Sequence, residues 1–236
     1  MKDIEVTFSV ITCTYNQLPL LKKAKEHWDK QTFLPFEWII ADDGSTDGTK
    51  EWAKKNGIKV VSHKENKGYR LDQIINKAAK VAKCEYLVWV MGDSYPKEDF
   101  LEKLAELVKP DRLVNGVRIN VDKDGAMVSM DWRISGIEPG VKKVKVDWMN
   151  MTLNSMCVPR KMYNKLGGMF EGYEGYGRGD WDFIARANFV AGAEMWIAPE
   201  AIVYHINHGD RKENPKNVKI FEERLKGFKN EANTRI

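Results

Sequence analysis

Four short apolar runs, separated by stretches long enough for helices, dominate the first ~110 residues of this chain and most restrict its possible folds. The runs are Phe8–Cys13, Phe36–Ala41, Ile58–Val61 and Tyr86–Met91. Each is too short for a packed helix and rich in branched or aromatic side chains, so each reads as a buried strand. Between them, Pro19–Lys30 places Leu21, Ala24 and Trp28 on one helical face, and a second helix runs through Trp52 and Ala53 until Gly57 stops it. A third spans Arg70–Lys83, with Leu71, Ile74, Ile75, Ala78 and Val81 inward, and a fourth carries Phe100, Leu101, Leu104 and Val108. Strand and helix in alternation predict an α/β fold with a mostly parallel sheet covered by helices on both faces.

The pattern changes after Pro110. Leu113–Ile119, Ala126–Met130 and Val141–Val146 read as strands, with Asp122-Lys123-Asp124-Gly125 as a hairpin turn. Short helices are expected over Arg160–Leu166 and Asp180–Ala191, and a late strand over Ala201–His205. From Asp210 onward the chain carries eight Lys/Arg against five Asp/Glu, with one amphipathic helix around Val218–Phe228.

The chain has 236 residues, 43% of them hydrophobic and 31% charged, which suits one large folded unit that stays in solution. No stretch reaches the roughly 18 apolar residues of a membrane-spanning helix. Met1-Lys2-Asp3-Ile4-Glu5 lacks the apolar segment of a secretory signal. Cys13, Cys84 and Cys157 are widely spaced, which argues against a disulfide framework or a structural zinc site and fits a reducing, cytoplasmic setting. The net charge of +4 favours polyanionic partners without requiring them.

Ligands of open parallel sheets bind outside the carboxyl ends of the strands. Asp42 and Asp43 stand at one such end and Asp93 at another, so they are expected to converge on one crevice. Asp43 and Ser45 also suit a helix cap or turn. Asp93 follows the run Leu87-Val88-Trp89-Val90-Met91 and reads either as a turn residue or as a ligand for a hard divalent cation. His205 and His208 form His-x-x-His just past an apolar strand and can share a metal if the chain turns between them. His27 and His63 have no such partners and are expected at the surface or half-buried. Glycines alternate with aromatic and charged residues from Glu174 to Asp182, which suggests close backbone approach to a ligand or a mobile loop. Asp180 and Asp182 fall in the first turn of the helix that follows, where acidic residues suit the helix terminus and a carboxylate can also act as a base.

In this order the elements resemble the family 2 glycosyltransferases with the GT-A fold, over about Val6 to His208. Val10–Asn16 resembles the family's opening strand and Thr-Tyr-Asn signature, and Asp42-Asp43-Gly44-Ser45 its nucleotide-binding motif. Asn66-Lys67-Gly68-Tyr69-Arg70-Leu71, followed by Asn76, is similar to the Gly-Phe-Arg segment of bacterial polysaccharide-type members. Met91-Gly92-Asp93 stands at the Asp-x-Asp position, with Met91 in place of the first Asp. Gly175–Asp180 resembles the Gly-Trp-Gly-Gly-Glu-Asp motif, with Gly179 in place of Glu, and the His205–His208 region resembles a terminal metal-ligand segment also seen in animal galactosyltransferases.

The resemblance implies a metal-dependent, inverting hexosyltransferase that takes a nucleotide-diphosphate sugar, a UDP-sugar by expectation, and a saccharide hydroxyl as acceptor. Two other readings stand beside it: a phage-type enzyme acting on hydroxymethylated DNA bases, and a degenerate nucleotide-sugar binding module. Thr12, Tyr15, Asp42, Asp43, Arg70, Gly92 and Asp93 would bind the donor. Asp93, His205 and His208 would hold Mn²⁺ or Mg²⁺, and Asp180 would be the catalytic base. Tyr176, Arg178, Trp181 and Asp182 would face the acceptor, with Tyr173 as a further ring able to stack on a sugar, and the glycine-rich loop could close over the donor. The expected division is residues 1–110 for the donor half, 111–209 for the acceptor and catalytic half, and 210–236 for a basic helix or tail.

Overall fold

Burial of every residue of the first apolar run fixes the centre of the sheet. In this computed structural model, which describes residues 6–65, 67–138, 140–209 and 211–234, that run is β1 (Phe8–Thr14), wholly buried. It is followed by α1 (Leu18–Trp28), β2 (Glu37–Asp42), α2 (Thr49–Lys55), β3 (Lys59–Ser62), α3 (Leu71–Val81) and β4 (Tyr86–Trp89). β1 lies between β2 and β4, parallel to both, and β3 extends the parallel set beyond β2. The α1 stripe is buried at Leu21, Ala24 and Trp28, as its 3.6-residue spacing requires.

The second half adds β5 (Ser94–Pro96), α4 (Phe100–Ala105), β6 (Arg112–Val121), β7 (Met127–Ser129), β8 (Val144–Lys145), β9 (Met156–Pro159), α5 (Arg160–Lys165), α6 (Gly179–Phe189), β10 (Glu194–Ile206) and α7 (Pro215–Asn233). The strand order is β3-β2-β1-β4-β9-β6-β10-β5, with β7 on β6 and β8 on β10. β9 pairs antiparallel with both β4 and β6, so one sheet passes through both expected halves. The longest ladder of this half, β6 with β10, is parallel and runs from Arg112↔Glu194 to Val121↔Ile206 with one irregularity. The result is a mixed, mostly parallel sheet flanked by helices.

Several expectations need correction. β5 and β9 were not anticipated: both are very short, and β5 contains Pro96. The strand expected at Val141–Val146 shrinks to Val144–Lys145, because only those residues find a partner on β10. Val81 is 40% exposed, since the chain turns extended at Ala82, which is buried in its place. Asn76 faces inward on α3 and hydrogen-bonds the Met169 carbonyl and Glu171. His63 is buried beside Asp43. The amphipathic helix expected around Val218–Phe228 is present as part of α7, and its Phe221, 3% exposed, packs on Trp148 and Trp181. Met1–Glu5, Asn66 and Asp210, which entered the sequence reading, lie outside the described residues. Among the described residues no helix is long and apolar enough to cross a membrane.

Candidate functional site

The strand ends and the helix starts face one cleft of about 940 Å³. Its sheet end begins at the loop after β2. Asp42 is fully buried and never reaches the cleft; its carboxylate accepts from the Ser45 amide at 3.0 Å and the Ser62 hydroxyl at 2.5 Å. This bracing leaves Asp43 on the cleft wall. Asp43 accepts from the Arg70 amide at 3.1 Å and pairs with its guanidinium at 3.3 Å. Arg70 thus secures the loop rather than lining the cavity. Asn16, in the left-handed region at φ 51°, joins the same assembly: its amide donates to Ser45 and its side chain accepts from Thr46. Tyr15 beside it lines the cleft and is 46% exposed.

Thr12 is fully buried, its hydroxyl accepting from Trp38 Nε1 at 2.9 Å, so the expected ligand contact at Thr12 is replaced by a core one. Gly92 is not on the wall either. A Cβ there would lie 2.6 Å from Gln17 Oε1 and 2.9 Å from Thr14 Oγ1, so glycine lets the β4 exit pass against β1.

Strand register brings the remaining sheet-end groups together. The β5–β10 pairing sets Ser94 opposite His205, and the Asp93 carbonyl accepts from the Ile206 amide. Asp93 then lies 3.7 Å from His205 Nε2 and 3.2 Å from His208 Nε2. One ligand atom from each of the three falls within 4.8 Å of the others. The tautomers suit a cation. His205 Nδ1 meets Asn120 Oδ1 at 2.9 Å, and the Asn120 amide nitrogen donates to Ser129 Oγ at 2.8 Å. His208 Nδ1 meets the Gly209 carbonyl at 2.8 Å. With these acceptors Nδ1 of each ring carries a proton, and Nε2 of each, directed at Asp93, is the atom open to a cation. Burial, with Arg118 and His208 nearby, lowers the His205 pKa against the opposing pull of Asp93, favouring the neutral ligand form. A carboxylate and two imidazoles fit Mn²⁺-type ions.

The helix end begins where the chain enters α6. Arg178 takes a left-handed conformation at φ 72° and pairs with Glu213 at 2.8 Å while lying over the Trp181 ring. Asp180 lines the cleft, and its Oδ1 accepts from the Trp181 amide at 2.9 Å. Burial raises its pKa, with backbone amides pulling the other way. Tyr176, Arg178 and Trp181 also line the cleft. Asp182 does not: it is fully buried, paired with Arg186 at 2.7 Å and Arg224 at 2.5 Å, and accepts from Tyr173. Tyr173 is accordingly a core residue rather than a stacking platform. The glycine-rich segment is fastened to α7: Asn217, fully buried, accepts from the Glu174 amide and donates to the Glu174 and Gly177 carbonyls.

Sequence reasoning missed Arg118, Asn120, Asp72 and Arg211, all on the cleft wall. Arg118 and Asn120 alternate on β6 among apolar neighbours, a period-two signal that could have revealed them. Arg211 lies over Tyr69, which meets Tyr176 edge-on, and no local pattern announces that stack.

The chain belongs to glycosyl transferase family 2, whose model matches residues 9–167. The match includes Asp43 and Asp93 and stops before Asp180, His205 and His208. The glycosyltransferase GlyG of Streptococcus pneumoniae is 38% identical over 106 residues, covering 43% of this chain and 35% of GlyG. YwdF of Bacillus subtilis, an uncharacterized glycosyltransferase, is 25% identical over 190 residues, covering 76% of this chain and 67% of YwdF. Among solved structures, S. aureus TarS 1-349 in complex with UDP-GlcNAc superposes with a TM-score of 0.74 at 20% identity, over 94% of this chain and 66% of that one. The same protein with UDP gives 0.73. The fold is that of the GT-A glycosyltransferases.

Proposed function

We propose that this chain transfers a sugar from a UDP-type nucleotide donor to a saccharide hydroxyl with inversion at the anomeric carbon. The observation that carries this reading is the single cleft shared by Asp43, Asp93 with its two histidines, and Asp180. Family membership supports transferase chemistry, and TarS, of the same fold, has been solved with UDP and UDP-GlcNAc.

The residues divide the work. Tyr15 and Asp43 take the nucleoside, with Arg70 holding the Asp43 carboxylate in place. Asp93, His205 and His208 would hold a divalent cation, Mn²⁺ or Mg²⁺. Such an ion, when bound, supplies Lewis-acid neutralisation of the charge on a departing diphosphate. Asp180 takes the proton of the acceptor hydroxyl. As the hydroxyl oxygen bonds to the anomeric carbon, the bond from that carbon to the diphosphate oxygen breaks, and UDP leaves with the electron pair. The raised pKa of Asp180 strengthens it as a base, provided the pH keeps it ionised. Tyr176, Arg178 and Trp181 form the acceptor wall. Residues 1–110 supply most donor contacts and 111–209 the base and both histidines, while α7 braces the acceptor loop.

A thermal-shift series with UDP, UDP-GlcNAc, UDP-glucose and UDP-galactose, each with and without Mn²⁺, tests the donor reading. Stabilisation of about 2.7 kcal/mol is expected at a hundredfold excess over Kd. No stabilisation by any UDP compound, with or without Mn²⁺, removes it.

A further inference from the structure

Gly179 opens α6 beside Asp180, and its missing side chain has a specific neighbour. A Cβ built there would collide with the Asp72 carboxylate, its Cγ at 2.7 Å. Asp72 sits in the first turn of α3, and its carboxylate therefore fills the space that a side chain at 179 would enter. Both Asp72 and Asp180 line the cleft. The Asp72 carboxylate makes no hydrogen bond and no ion pair among the described residues, with Arg186 acting on it only at longer range, whereas Asp182, one turn beyond Gly179 on α6, has two arginines. A half-buried carboxyl facing a ligand cavity with no partner is costly unless something in the cavity satisfies it.

We infer that Asp72 is an acceptor-binding, specificity-determining residue: its carboxyl holds an acceptor-sugar hydroxyl adjoining the one that Asp180 deprotonates. Asp72 thereby supplies from α3 the carboxyl that Gly179 cannot supply from α6. Burial, together with Asp180, Asp182 and Glu171, pushes the Asp72 pKa up to about 7 against the pull of Arg186. At neutral pH the group is partly protonated, so it can donate to one hydroxyl lone pair or accept a hydroxyl proton. The inference rests on the transferase reading given above.

The experiment compares wild type, Asp72→Ala, Asp72→Asn, Gly179→Glu and the double variant Asp72→Ala/Gly179→Glu. Acceptor kinetics are measured on p-nitrophenyl β-glycosides of glucose, galactose and N-acetylglucosamine, with the three UDP-sugars as donors and Mn²⁺ present. Asp72→Ala should raise acceptor KM by about tenfold or more, with a smaller change in kcat, while UDP affinity stays within about twofold. Gly179→Glu alone should lose activity through its collision with Asp72. The double variant should return acceptor KM to within about threefold of wild type, a rescue that a merely structural Asp72 would not allow. Asp72→Asn, which preserves shape, decides the matter if Asp72→Ala does not fold; its KM should rise severalfold. Identical behaviour of wild type and the Asp72 variants across the panel, whether all active or all silent, overturns the inference. Failure of wild type to bind any UDP-sugar defeats the donor reading instead, and this inference with it.

Discussion

The two ends of the cleft are built by different means. At the sheet end, Asp43, Asp93, His205 and His208 are placed by strand register and by a loop that braces itself through Asp42, Ser45 and Asn16. At the helix end, Asp72 and Asp180 stand on the first turns of two helices, and the segment leading to Asp180 is tied down by Asn217 from a third. The sheet end draws its rigidity mostly from neighbours in sequence or in the sheet. The helix end borrows it from residues some 40 positions away. A site can therefore be stiff at both ends while only one end carries its own support.

The largest effect that separates the ends is chemical. Asp180→Asn should lower transfer by about 10²–10⁴-fold with UDP affinity unchanged, as measured by steady-state rates and calorimetry. Near-normal turnover in that variant would dismiss Asp180 as the base. At the other end, Asp93→Ala should weaken Mn²⁺ binding on the order of 100-fold and erase any Mn²⁺-dependent tightening of UDP. An unchanged Mn²⁺ titration would remove the cation from the sheet end.

Next comes a stability signature confined to the helix end. Asp72 is raised from 3.8 to about 7, so between those pH values the folded state holds a proton that the unfolded chain has released. Its contribution is present at pH 4 and is lost as pH rises through about 7. Asp72→Asn should therefore match wild type near pH 4 and exceed it by on the order of 2 kcal/mol near pH 8. Denaturant melts at both pH values check this, and a gap that does not change with pH would contradict it.

The smallest effects test the bracing itself. Asn217→Ala strands the Glu174 and Gly177 groups and should cost about 2 kcal/mol, while Ser45→Ala, at a loop with further bonds through Asp42 and Asn16, should cost about 1 kcal/mol. Equal losses in urea melts would erase the distinction between borrowed and local support.

The same contrast explains what could be read from the sequence. The alternation up to Val108 was legible because continuous strands and one-faced helices leave periods of their own, as Leu21, Ala24 and Trp28 do on α1. Asp43, Asp93 and the histidines were legible as strand-end residues, and the cleft does contain them. Thr12 and Asp42 were misjudged because a polar residue at a strand end can equally bond inward, and here Trp38, Ser45 and Ser62 claim them. Asp182 looked like an acceptor contact because its partner Arg224 lies 42 residues on, beyond any local pattern. β9 escaped because four apolar residues acquire meaning as a strand only once β4 and β6 stand on either side. Asp72 lacked a signal altogether: its significance appears only when Gly179 is seen to leave room for it.

The salt link from Arg224 to Asp182 has a consequence for the integrity of the chain. A nick between β10 and α7, followed by loss of the helix, would deprive a fully buried aspartate of one of its two guanidinium partners and uncover the seat of Phe221. It would also release the carbonyls that Asn217 holds, while leaving the β5–β10 ladder and His205 in place. A single proteolytic cut would thus unbrace the helix end of the cleft while sparing the strands of the sheet end.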